Sequence, residues 1–64
     1  MLSTRKIRIL TVDDHPLLRE GIAAVINFED DMFLIGNASD GREALELFKR
    51  HQPDITLMDP LMPE

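Results

Sequence analysis

Apolar residues along the chain are concentrated in three short runs, at residues 7–12, 33–38 and 55–58. Two longer segments separate these runs, and in them apolar residues recur with the spacing of a helix. Short, almost continuously apolar runs are typical of strands that a parallel sheet buries on both faces. The pattern therefore predicts the order strand, helix, strand, helix, strand, and it predicts that the third strand is buried.

The first helix is predicted to begin at Pro16, because proline is tolerated at the first position of a helix. Leu18, Ile22, Val25 and Ile26 follow at helical spacing, and we expect them to form the buried stripe of this helix.

The second helix is predicted to begin after Asp40. Asp40 and Glu43 have the spacing of a capping box, with Asp in place of the usual Ser or Thr. Pro53 limits how far this helix can continue. We expect its buried face to consist of Ala44, Leu45, Leu47 and Phe48.

Alternating strands and helices with short connections predict an α/β fold with right-handed crossovers and a parallel sheet. In such sheets, ligands bind beyond the carboxyl ends of the strands, where the strand order reverses. If the first strand lies between the other two, that point falls between the first and third strands.

Three aspartates stand where this crevice is expected. Asp13 and Asp14 follow the first strand, and Asp59 follows the third. Like charges this close repel one another unless a cation neutralises them. Mg²⁺ suits such a site, because it binds carboxylate oxygens and water. Such a metal site could also activate one aspartate as a nucleophile toward a phosphoryl group. A single aspartate at a strand end is more often a turn former than a ligand. We expect the side chain of His15 to face solvent.

Composition narrows the possible functions of this chain of 64 residues and 7.3 kDa. It has no cysteine, which excludes disulfides, Cys-ligated zinc and thiol catalysis. Its net charge is −5, which disfavours electrostatic binding to a phosphate backbone, and it has no Trp or Tyr for base stacking. No apolar run approaches the length of a membrane span or of a secretory signal. We expect a cytoplasmic protein that contacts neither membrane nor nucleic acid through this chain.

Several motifs, in order and at matching spacing, resemble the receiver domain of bacterial two-component response regulators, and in particular the NarL/FixJ subfamily. They are residues 9–21, which include Asp-Asp-His-Pro and Arg-Glu-Gly, residues 40–45, residues 53–59, and the pair Met62-Pro63. The resemblance covers essentially the whole chain, residues 1–64. It implies a flavodoxin-like, doubly wound fold, of which this chain would be the N-terminal βαβαβ half with strand order 2-1-3.

The resemblance also implies a phosphorylation switch rather than an enzyme. Asp59 matches the aspartate that receives a phosphoryl group from a sensor histidine kinase. Asp13 and Asp14 match the acidic pair of the Mg²⁺ site, with Asp14 the more direct ligand, and the backbone carbonyl of Leu61 matches the main-chain ligand. In the parent protein, phosphorylation would regulate transcription through a DNA-binding output domain.

Two departures from the family pattern affect these expectations. The sequence ends at Glu64, so we expect a truncated domain without strands four and five or the Ser/Thr and Lys that contact the phosphoryl group. Pro60 lacks the N–H that the residue after the acceptor usually offers. Phosphorylation should therefore be impaired.

Truncation would also leave the third strand as an open apolar edge, which predicts a homodimer or larger assembly joined through that strand. The alternative function is accordingly a self-associating half-receiver that does not transfer phosphate. A haloacid-dehalogenase-like phosphatase is disfavoured, because that family needs a second Asp where this chain has Leu61.

Overall fold

All five predicted elements are present in the computed structural model, which describes residues 6–59. The second strand begins one residue earlier than predicted, and the first helix begins at Pro16 as expected. In chain order the elements are β1 (Ile7–Val12), α1 (Pro16–Phe28), β2 (Met32–Ala38), α2 (Gly41–His51) and β3 (Ile55–Met58).

The three strands form one parallel sheet in the order β2-β1-β3, which confirms the predicted α/β class and strand order. β1 pairs with β3 in continuous register, ending with Val12 opposite Met58. The pairing of β1 with β2 slips by one residue, because Ile9 lies opposite Leu34 whereas Leu10 lies opposite Gly36. The extra residue is a β-bulge next to a glycine, a common position for one.

The buried core is centred on β1, whose alternate side chains face the two helices. Leu10 and Val12 are fully buried and pack with Ala38 of β2 and Ala44 of α2. Ile9 points to the opposite face, where Ile26 of α1 is also buried. β1 is therefore covered on both sides, as its apolar sequence predicts.

The helices bury narrower faces than the sequence predicts. In α1, Ile26 is buried, whereas Leu18 is 45% exposed and Val25 is 65% exposed. In α2, Leu45 and Phe48 are 56% and 48% exposed. The sheet has only three strands among the described residues, so each helix finds apolar partners for only part of its stripe. Neither described helix is long and apolar enough to cross a membrane.

The prediction that the third strand is buried is wrong. All four residues of β3 are exposed, including Ile55 (43%), Leu57 (42%) and Met58 (58%). β3 pairs with β1 on one side only and has no second strand neighbour within residues 6–59. The predicted open apolar edge is present.

Capping of α2 follows the prediction in its main feature. The Asp40 carboxylate accepts a hydrogen bond from the Glu43 N–H at 2.9 Å. The Glu43 carboxylate, however, accepts from the Ser39 N–H at 2.8 Å rather than from Asp40. At the other end, Gln52 adopts a left-handed conformation with φ of 48°, and its N–H donates to the Phe48 carbonyl. The helix thus stops before Pro53.

Candidate functional site

The parallel pairing of β1 with β3 brings their terminal aspartates to one edge of the sheet. The Asp59 N–H donates to the Val12 carbonyl at 3.0 Å, which extends the pairing by one residue. The Asp13 N–H donates to the Ala38 carbonyl at 2.9 Å on the other side. Asp13 and Asp59 line one cavity of about 200 Å³, together with apolar side chains of α1 and β3. The backbone therefore positions both residues firmly.

Asp13 is only 1% exposed, and its carboxylate is held by two donors. One oxygen accepts from the His15 N–H at 3.0 Å, and the other accepts from the Asn37 side-chain amide at 3.4 Å. Asn37 also donates to the Thr11 hydroxyl at 2.6 Å. Each oxygen of the Asp13 carboxylate therefore already accepts one hydrogen bond, and the bond from the His15 N–H helps to fix the start of α1.

Asp14 and Asp59 come together around His15. The His15 Nδ1 atom lies 3.2 Å from a carboxylate oxygen of Asp14 and 3.2 Å from one of Asp59. One potential ligand atom from each of the three side chains lies within 4.8 Å of those of the other two. The Asp14 side chain is 42% exposed and that of Asp59 only 9% exposed, so water reaches the cluster from the Asp14 side.

His15 faces solvent, as expected, with a side chain that is 57% exposed, but its contacts with both carboxylates were not predicted. The signal available in the sequence is its place directly after an acidic pair, at the first turn of a helix. Asn37 was also assigned no role. The signal in the sequence was a polar side chain inside an apolar strand. The structure places Asn37 opposite Thr11, where it forms its hydrogen bonds.

Arg19 is a further residue of the site that sequence reasoning missed. Its Nη2 donates to the Asp13 carbonyl at 3.3 Å and to the Ser39 hydroxyl at 3.2 Å. It therefore ties α1 to the segments that follow β1 and β2. Helical spacing places Arg19 beside the first turn of α1, but which loops it contacts depends on the tertiary fold.

The donor set of this edge fits Mg²⁺. Mg²⁺ prefers oxygen ligands, uses one or two carboxylates and keeps several waters, and Asp14 and Asp59 offer two carboxylates within reach of solvent. Asp59 is in addition a carboxylate with a fixed backbone that could act as a nucleophile. The predicted main-chain ligand Leu61, together with Pro60, lies outside the described residues.

Comparisons with known proteins agree with this geometry. Residues 9–64 match the family described as the response regulator receiver domain. The chain is 45% identical over 58 residues to "Probable transcriptional regulatory protein NarL" of Mycobacterium tuberculosis (strain ATCC 25618 / H37Rv), a match that covers 91% of this chain and 27% of that protein. It is 42% identical over 55 residues to "Nitrate/nitrite response regulator protein NarL" of Escherichia coli (strain K12), a match that covers 86% of this chain and 26% of that protein.

A solved structure also shows similarity to a response regulator receiver domain. The chain superimposes on the signal receiver domain of the putative response regulator NarL from Mycobacterium tuberculosis with a TM-score of 0.86 and 44% identity. The match covers 92% of this chain and 48% of the other. The described fold is thus the βαβαβ half of a flavodoxin-like receiver fold, and the chain spans about a quarter of the length of the curated relatives.

Proposed function

This chain belongs to the family of response regulator receiver domains, the signalling modules of two-component systems, and from that membership we propose that it accepts a phosphoryl group on Asp59 beside a bound Mg²⁺. The observation that carries the proposal is the approach of Asp14 and Asp59 at the carboxyl edge of the sheet. We further propose that residues 1–64 are the N-terminal portion of a receiver domain.

The proposed reaction needs little from the protein besides a positioned nucleophile. An oxygen of the Asp59 carboxylate attacks the phosphorus of a phosphohistidine on a sensor histidine kinase. The new bond joins that oxygen to phosphorus, while the bond between phosphorus and the histidine nitrogen breaks. The leaving imidazole takes a proton from solvent, and Asp59 becomes an acyl phosphate. The hydrogen bond from the Asp59 N–H to Val12 holds the nucleophile in place.

The proposed metal ligands are the carboxylates of Asp14 and Asp59, with the carbonyl of Leu61 as the main-chain ligand. Mg²⁺ bound there would supply positive charge that offsets the negative charge of the incoming phosphoryl group. Asp13 would act through a water molecule, since its carboxylate already accepts from His15 and Asn37.

The proposed partner is a sensor histidine kinase, because two-component regulators receive their phosphoryl group from one. One relative of this chain is named a probable transcriptional regulatory protein, and another is named a response regulator. We therefore propose that phosphorylation regulates transcription in the cytoplasm through a DNA-binding output domain of the parent protein. The charge of −5 argues against DNA contact by this chain itself.

The metal requirement tests this proposal. The protein is incubated with acetyl phosphate, and the phosphorylated fraction is measured by intact mass spectrometry with Mg²⁺ or with a chelator. We expect slow labelling in Mg²⁺ and a loss of at least about tenfold on chelation, because the repulsion between the carboxylates and the phosphoryl group is then not offset. Asp14→Asn should reduce labelling similarly. Labelling that is indifferent to chelation would contradict the proposal.

A second candidate function is self-association, which the exposure of β3 favours. Within residues 6–59, β3 has a strand neighbour on one side only. The groove between β3 and α1 is apolar, with Leu17, Ile22, Val25, Ile55 and Leu57 among the residues that line it. An open strand edge next to apolar surface favours pairing with a second copy of the chain.

Light scattering on a sizing column at two protein concentrations tests this candidate. We expect a dimer mass, and we expect Leu57→Lys to shift the protein to monomer, since it places a charge in the apolar groove. Leu45→Lys is the matched control, because Leu45 lies on α2 and is already 56% exposed. A monomer mass for the unmodified protein, with a folded circular dichroism spectrum, would reject self-association.

A further inference from the structure

Asp14 is an exposed residue for a proposed metal ligand. Its side chain is 42% exposed, and the His15 side chain that it contacts is itself 57% exposed. Pairs of exposed side chains hold each other weakly, because water competes for both. The direction of the Asp14 carboxylate therefore depends on the backbone around it.

The two peptide groups that flank Asp14 are each held by a hydrogen bond. The carbonyl oxygen of the preceding group belongs to Asp13 and accepts from Arg19 Nη2 at 3.3 Å. The N–H of the following group belongs to His15 and donates to the Asp13 carboxylate at 3.0 Å. Because a peptide group is planar, holding one of its atoms restricts the whole plane. With both planes held, the φ and ψ angles of Asp14 are restricted as well.

We propose that Arg19 is a positioning residue for the metal site. Its guanidinium holds the peptide group between Asp13 and Asp14, and it thereby directs the Asp14 carboxylate toward Asp59 without contacting the ion. This role rests on the metal site of the proposed function, and it adds a residue of α1 to that site. Arg19 Nη2 also donates to the Ser39 hydroxyl at 3.2 Å, so the guanidinium is anchored on the loop after β2 too.

Arg19 is not the residue that a purely structural role would favour. Its Nε atom is buried and has no hydrogen-bond partner among the residues that the structure describes. Asn37 donates to the Asp13 carboxylate at 3.4 Å, and its Oδ1 atom is likewise buried without a partner within residues 6–59. Buried polar atoms without partners cost stability, and functional sites are where proteins tolerate them. Both residues that hold Asp13 thus carry such a cost.

The charge of Arg19 gives the experiment a sign. Arg19 places a positive charge beside the acidic residues, so by electrostatics alone its removal would strengthen the binding of a cation. Removal of its hydrogen bond to the Asp13 carbonyl frees the peptide group before Asp14, and this loosening weakens binding. The direction of the change in Mg²⁺ affinity therefore separates a positioning role from an effect of charge.

Mg²⁺ titration of Arg19→Met, followed by nuclear magnetic resonance of the backbone amides, is the first test. We expect binding to weaken by about tenfold, as is typical when a group that orients a metal ligand is lost. Arg50→Met is the matched control, because Arg50 is exposed in the last turn of α2 and the change in charge is the same. It should alter Mg²⁺ binding by less than about twofold, since salt screens a distant charge. Unchanged or tighter binding in Arg19→Met would overturn the proposal.

Hydrogen exchange of the metal-free protein is the second test. The His15 N–H donates to the Asp13 carboxylate, so its exchange rate reports on the peptide group that follows Asp14. We expect this exchange to be at least about threefold faster in Arg19→Met, whereas the amides of β1 keep their protection. Arg50→Met should exchange like the unmodified protein. Equal rates at His15 in the two variants would overturn the proposal.

Ser39→Ala decides the question if Arg19→Met does not fold. Ser39 is exposed, and the hydrogen bond from its N–H to Glu43 does not depend on its hydroxyl. The change removes one of the two oxygens to which Arg19 Nη2 donates, and we expect Mg²⁺ binding to weaken by about threefold.

The unmodified protein separates the two proposals. If it binds Mg²⁺ and neither Arg19→Met nor Ser39→Ala binds more weakly, only the role of Arg19 is rejected. If the unmodified protein binds no Mg²⁺, the metal site of the proposed function is rejected, and the role of Arg19 is rejected with it.

Discussion

Asp59→Asn is expected to reduce labelling of the protein by acetyl phosphate to background while the fold and any assembly persist. The substitution replaces the proposed nucleophile with an amide of nearly the same shape, and an amide oxygen is a far weaker nucleophile than a carboxylate. The backbone hydrogen bond from residue 59 to Val12 does not depend on the side chain, so β3 should remain paired. Intact mass spectrometry measures the labelled fraction, and circular dichroism checks the fold.

Asp30→Asn is the control for this experiment. Asp30 is an exposed aspartate in the turn before β2, at the edge of the sheet opposite to the one that holds Asp59. The same loss of charge there should leave labelling unchanged. Labelling that survives Asp59→Asn would place the acceptor on another residue and would contradict the assignment.

Leu10→Ala is expected to unfold the protein in large part. Leu10 has no exposed surface and packs between the strands and α2, so truncation leaves a cavity at the centre of the core. Changes of this kind cost about 2 to 5 kcal/mol. A domain of this size is marginally stable, with roughly 0.05 to 0.15 kcal/mol per residue, so the loss consumes much of the free energy of unfolding.

Leu45→Ala makes the same chemical change at an exposed position of α2. Leu45 is 56% exposed, and its truncation should lower the free energy of unfolding by less than about 1 kcal/mol. Urea unfolding followed by circular dichroism measures both variants. Equal losses of stability in the two would mean that the core is not centred on β1.

The pattern of apolar residues was sufficient to predict the elements and the parallel sheet, whereas the strand order 2-1-3 was predicted from the resemblance to the receiver family. Local rules determine these features: Pro16 begins α1, Asp40 caps α2, and β1 is apolar because helices cover both of its faces. The edge of the sheet that gathers Asp13, Asp14 and Asp59 also follows from strand order alone.

The solvent exposure of individual side chains could not be predicted in the same way, because it depends on which other elements pack against them. Val25 belongs to the apolar stripe of α1, yet nothing among the described residues covers it fully. The exposure of Leu57 was predicted only from the expected truncation and not from the apolar pattern. Side-chain contacts depend on the tertiary fold as well. The approach of His15 to Asp59 joins residues that are far apart in the sequence, and it arises only when β1 and β3 are aligned.

The most direct test of the proposed function is to locate the phosphoryl group. The protein is labelled with acetyl phosphate in Mg²⁺, the acyl phosphate is reduced with borohydride to homoserine, and the peptides are sequenced by mass spectrometry. We expect homoserine at position 59, and only in the sample that received both Mg²⁺ and the phosphodonor. Homoserine at Asp13, Asp14 or another aspartate, or none at any position, would contradict it.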